Sequence, residues 1–153
     1  MSRRPAFSLI ELMIVIAIIA VVSGFAIPRY SNSLQLYRAN LAARRIAADL
    51  QMAQFRARSL STTRTVTFTP SSSSYQITGE ISLSNSTSTY GVQLSDLPYR
   101  ATIRSVQFGA SAVASITFNG FGMPNNGGSI SLSSGNVTKV VTVAPQTGAI
   151  SIQ

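Results

Sequence analysis

An α+β chain is predicted, with one long kinked N-terminal helix whose first half spans a membrane and whose second half packs on an antiparallel β-sheet domain. Three observations predict it. An uncharged apolar run extends from Leu12 to Ile27, broken only by Ser23 and Gly24. Strong helix formers with a recurrent apolar face follow it as far as Leu60. Short runs that alternate polar and apolar residues, separated by turn residues, fill the rest.

The first element is set by length and charge. Phe7 to Ile27 would span about 31 Å as a helix at ~1.5 Å per residue, which matches a bilayer core of ~30 Å. Arg3 and Arg4 precede it and predict a cytoplasmic N-terminus, because basic residues stay inside. Arg29 just beyond the span weakens that asymmetry without reversing it. Glu11 lies within the apolar layer, where a charge costs roughly 2.5–3.5 kcal/mol on insertion scales. An ordinary secretory signal has a shorter apolar core and a small-residue cleavage site after it. The nearest candidate here is Ser23-Gly24-Phe25-Ala26. A plain single-span anchor accounts for the length and flanks but leaves Glu11 unexplained.

Pro28 follows the run. A proline inside a helix removes one backbone hydrogen bond and kinks the axis, yet helical signals continue past it. Ile46, Leu50, Ala53, Ala57 and Leu60 fall on one helix face, and Leu34, Leu41, Ala48 and Phe55 on a neighbouring one. The helix is expected to end near Leu60, where Ser61-Thr62-Thr63 begins a β-branched run. From Phe7 to Leu60 it would measure ~80 Å.

Strands are expected at 63–69, 74–78, 102–108, 115–118, 129–132 and 149–152, with a less regular one at 137–143. Turns are expected at 70–74, 120–128, 134–136 and 145–148. The apolar half of each strand needs cover, and the amphipathic helix face supplies it. Ser82 to Thr89 reads as a solvated loop.

Ala6-Phe7-Ser8-Leu9-Ile10-Glu11-Leu12-Met13 resembles the leader junction of type IV pilins and type II secretion pseudopilins. The resemblance implies that a prepilin peptidase cuts between Ala6 and Phe7 and N-methylates Phe7. The family usually carries glycine before the cut; Ala6 is also small, so cleavage is expected. It further implies that Glu11, the fifth residue of the mature chain, directs assembly. The chain then divides into a leader (1–6), a transmembrane and assembly helix (7–27), its amphipathic continuation (28–60) and a β-rich periplasmic domain (61–153). Ile116-Thr117-Phe118-Asn119-Gly120-Phe121-Gly122 and Pro145-Gln146-Thr147-Gly148-Ala149-Ile150 look like the GspH/FimT branch of minor subunits. That branch implies a single-pass inner-membrane protein that primes or caps a fibre beside other minor tip subunits and the major subunit. GspH-like members serve type II secretion, and FimT-like or FimU-like members serve type IV pili.

Composition agrees with a structural role. With Cys 0 and His 0, thiol nucleophiles, thiolate or imidazole metal sites and the commonest general base are excluded. The four acids are Glu11, Asp49, Glu80 and Asp96, too few and too scattered for a paired-carboxylate site. No cofactor or metal is expected, and no enzymatic activity. Removing Arg3 and Arg4 from the 12 basic residues leaves 10 against 4 acidic, a side-chain balance of +6. Arg38, Arg44, Arg45, Arg56 and Arg58 lie on the outer helix; Arg100 and Arg104 are expected on one strand face. Such a surface can hold nucleic acid through phosphates, and the resemblance extends to FimT-like proteins of DNA uptake, whose tails carry arginine. The tail here, Gly148 to Gln153, has none. The bland reading is a solvated basic face, or one that meets acidic neighbours in the fibre.

Overall fold

A computed structural model of the chain describes residues 7–81 and 89–153. The Ser82–Thr89 loop expectation falls almost wholly outside the described residues; Thr89 itself is in a strand. The described residues form two compact units, one reaching Leu34 and one from Gln35 to the C-terminus.

Helix α1 runs from Leu9 to Ser59. Ser8 caps it, its Oγ accepting the Glu11 N–H at 3.3 Å, so an otherwise orphaned donor at the helix start is satisfied. The first unit is the apolar part of α1, and it meets the length and hydropathy of a membrane span. Its side chains from Leu9 to Val22 are exposed, as expected of a helix whose partner is lipid or another helix.

In the second unit α1 buries Ala39, Ala42, Ala43, Ile46, Ala47, Leu50, Ala53 and Ala57. These recur at helical spacing. Most are alanine, while Ile46 and Leu50 each supply roughly 1.5–3 kcal/mol of burial. Leu60, expected on this face, is exposed because the helix has already ended. Thr62 N–H donates to the Ala57 carbonyl and Ser61 N–H to that of Arg58, with Ser61 in the left-handed region at φ 48°. This is a Schellman-type stop with serine where glycine is usual. The second expected stripe is not core: Leu34 and Leu41 are half-buried, and Ala48 and Phe55 are exposed.

The strands are β1 (Arg64–Thr69), β2 (Ser74–Ile81), β3 (Thr89–Gln93), β4 (Thr102–Phe108), β5 (Ser115–Phe118), β6 (Gly128–Ser134), β7 (Val137–Val143) and β8 (Ile150–Ile152). They make two four-stranded antiparallel sheets, ordered β3-β2-β1-β5 and β4-β6-β7-β8. Period-2 alternation puts apolar residues in register: Val66 faces Ile77 and Ile116, and Ile130 faces Val106 and Val141. These side chains and the alanine face of α1 form one core. The expected strands are all present; β3 was not anticipated.

Candidate assembly surface

Two buried carboxylates join the helix to the first sheet. Asp49 interrupts the apolar face between Ile46 and Ala53 and is buried. Its Oδ2 accepts the Tyr75 hydroxyl at 2.6 Å, the Tyr90 hydroxyl at 3.0 Å and Arg45 Nε at 3.1 Å. Arg45 Nη2 also donates to the Tyr90 hydroxyl. Tyr75 is on β2 and Tyr90 on β3, so one carboxylate ties both strands to α1. Burial first, then the Asp49 charge and its hydrogen bond, push both phenols above the ordinary tyrosine range. Glu80 is likewise buried, its Oε1 accepting Arg64 Nε at 3.2 Å and its Oε2 accepting Arg56 Nη1. Arg45 and Arg56, expected on an outer basic face, are thus spoken for.

Both turns that carry the branch resemblance meet α1 through Gln54. Its Nε2 donates to the Gly122 carbonyl at 2.9 Å and to the Thr147 carbonyl at 3.3 Å. Arg58 Nε donates to the Phe121 carbonyl at 3.1 Å. Within the first turn Asn119 Oδ1 accepts the N–H groups of Phe121 and Met123. Phe121 is 82% exposed at its tip.

Of the expected site residues, Ala6 lies outside the described residues, and Phe7 and Glu11 are exposed at the start of α1. α1 continues through Pro28. Arg100 is not on a strand face. It precedes β4, at φ 44°, with its N–H donating to the Asp96 carbonyl and its own carbonyl accepting the Ser134 hydroxyl. Arg104 sits where the β4–β6 register shifts between Ile103 and Ser105, and its Nε donates to Ser133 Oγ at 2.8 Å. The left-handed backbone at Arg100, ahead of the first residue of β4, takes it off the strand face on which it was expected with Arg104.

Asp49 and Gln54 were not singled out from the sequence. An acid on an apolar helix stripe signals the first; Gln54 carries no local signal, since both its partners are distant in sequence. The Ser8–Glu11 cap was likewise not singled out, although serine followed three residues later by glutamate is its local signal.

A long N-terminal helix feeding two antiparallel sheets places the chain in the pilin-like class. Crystal structures of the type IV minor pilin FimU of Pseudomonas aeruginosa in two crystal forms share the fold. In one, with a TM-score of 0.54 and 17% identity, the likeness covers 74% of this chain and 91% of FimU. In the other, with the same score and identity, it covers 75% and 87%. At that identity the likeness is one of fold. No curated protein shows significant similarity. The prokaryotic N-terminal methylation motif matches residues 1–27, and the family described as type II transport protein GspH matches residues 42–147. The chain belongs to the GspH family of type II transport proteins.

Proposed function

We propose that this protein primes or caps a type II secretion pseudopilus. It is made as a precursor that a prepilin peptidase cuts between Ala6 and Phe7 and methylates at Phe7. The mature chain crosses the inner membrane once, with the β-domain in the periplasm, and Pro28 kinks the helix where it leaves the bilayer. It acts as a structural subunit and not as an enzyme, beside minor tip subunits and the major subunit. The carrying observation is that one chain joins an N-methylation motif over residues 1–27 to a GspH match over residues 42–147. The FimU likeness supports a second reading, a FimT/FimU-like minor pilin, in which DNA capture would fall to Arg100 and Arg104.

Intact-mass analysis of protein extracted from the native membrane tests the processing on which assembly depends. Loss of Met1 to Ala6 with one added methyl group is expected. A chain beginning after Ala26 would make this an ordinary secreted protein instead. Co-isolation with secretion or with pilus subunits separates the two readings.

A further inference from the structure

The solvent face of α1 in the second unit has two properties that the core does not use. The first is spacing. Leu41, Ala48 and Phe55 recur every seven residues, and Tyr37, Arg44, Gln51 and Arg58 interleave with them, the pattern of a helix–helix seam. All are exposed except Leu41, which is half-buried; Phe55 is 69% exposed. A hollow of about 200 Å³ lies along this seam, lined by Tyr37, Asn40, Leu41 and Arg44. Those four residues stand at i, i+3, i+4 and i+7, the set that forms a hole for a side-chain knob from a facing helix.

The second property is charge. Asp49 is the only acid between Tyr37 and Arg58, and it is buried toward the sheets. Among the described residues the ion pairs are Arg45–Asp49, Arg56–Glu80 and Arg64–Glu80. Arg38, Arg44 and Arg58 take no part in them, so this face carries cations and no carboxylate. Arg44 stands on the rim of the hollow.

We propose that this face docks an acidic helix of a different chain, with an apolar side chain of the partner seated between Tyr37 and Arg44 and carboxylates meeting Arg44 and Arg58. The proposal rests on the reading of the protein as a fibre subunit and names the chemistry of its neighbour. A second copy fits poorly. Parallel pairing stacks Arg44 on Arg44 and Arg58 on Arg58, and like charges in register oppose association. Within the second unit a copy offers only Asp96 as an exposed carboxylate. Nucleic acid would satisfy the cations but leave Leu41 and Phe55 without partners.

The test uses the full chain in detergent micelles and fluorescence anisotropy of labelled three-heptad helical peptides. One peptide carries leucine and glutamate at the two seam positions; its counterpart carries leucine and lysine. The glutamate peptide should bind at least about ten-fold more tightly than the lysine peptide, since juxtaposed like charges are penalised. Arg44→Glu with Arg58→Glu should reverse the preference, a gain that misfolding cannot imitate. Leu41→Ser with Phe55→Ser should weaken binding of the glutamate peptide about ten-fold. Equal binding of both peptides, or a preference the charge reversal leaves unchanged, would overturn the proposal. So would self-association abolished by Phe55→Ser, or binding of duplex DNA that needs the arginines and ignores the two serine changes. The peptides need no fibre, so this result stands apart from co-isolation, which tests the subunit reading itself.

Discussion

Asp49 shows how much one residue can organise. A buried carboxylate is tolerated only when donors replace the water it loses, and here Tyr75, Tyr90 and Arg45 converge on one oxygen. Each donor links α1 to a different point: Arg45 is one turn back on the helix, Tyr75 is on β2 and Tyr90 on β3. Tyr75→Phe removes the shortest of the three bonds while keeping the ring, so it should destabilise by about 1.5–3 kcal/mol, the range for hydrogen bonds to charged groups. The same bond predicts a pH dependence. Burial, then the Asp49 charge and the hydrogen bond to it, raise the Tyr75 value above its ordinary 10.0. With the folded value above the unfolded one, the contribution is full below about pH 10 and is lost as the pH rises through the folded value. Chemical denaturation from pH 8 to 11 should show stability falling above about pH 10, with a shallower fall in Tyr75→Phe. An identical alkaline limb in both proteins would detach Tyr75 from the effect.

At the scale of elements, the turn from Asn119 to Pro124 shows why some glycines are fixed. Gly122 has φ +73°, and a Cβ there would lie 2.0 Å from Arg58 Nε and 2.5 Å from Arg58 Cγ. Gly122→Ala must therefore strain the backbone and push Arg58 off the Phe121 carbonyl. A loss of about 1–3 kcal/mol is expected, read as a lower Tm; an unchanged Tm would show that the turn bears no load. The elements legible in the sequence were those with local signals. Val66 and Phe68, or Ile130 and Leu132, alternate cleanly, and the helix stop at Ser61-Thr62-Thr63 fell within one residue of the observed end. β3 escaped because Gly91 interrupts its alternation and the serine-rich stretch adjoins it; it is held by its ladder with β2 and by Tyr90 reaching Asp49, 41 residues away. The partition into two sheets was illegible for the same reason, since β5 pairs with β1 and β4 with β6 across intervening chain. Phe55 falls on a second apolar stripe by its spacing and is exposed in the structure. Two apolar stripes occupy one helix, and only packing decides that the alanine-rich one faces the sheets.

Across the whole chain, Glu11 carries a different kind of information from the core. The β-domain and the second half of α1 share a self-contained core, whereas the apolar half of α1 is exposed from Leu9 to Val22 and gains its environment from lipid or neighbours. Ile14, Ala17, Ile18, Val21 and Val22 leave a hollow of about 330 Å³ there, again at the i, i+3, i+4, i+7 spacing that accepts a partner helix. Apolar surface alone sets no axial register, because one greasy helix can slide along another. Glu11 can set it. It lies in the first turn of α1, where the positive end of the helix dipole favours an anion, but its carboxylate remains exposed. Cleavage before Phe7 would create an α-amine four residues away, and in a bundle Glu11 of one subunit could meet the amine of the next. Low dielectric strengthens that attraction, and pairing offsets the burial cost of both charges. Glu11→Ala should therefore leave membrane insertion intact or improve it, since a charge leaves the apolar layer, while co-isolation with partner subunits falls sharply. Membrane fractionation is the control, and Ser8→Ala, which removes the helix cap but keeps the carboxylate, should cost only about 1 kcal/mol of helix stability and preserve co-isolation. If the Glu11→Ala protein co-isolates as well as the parent, register is set elsewhere and the first half of α1 is an anchor only.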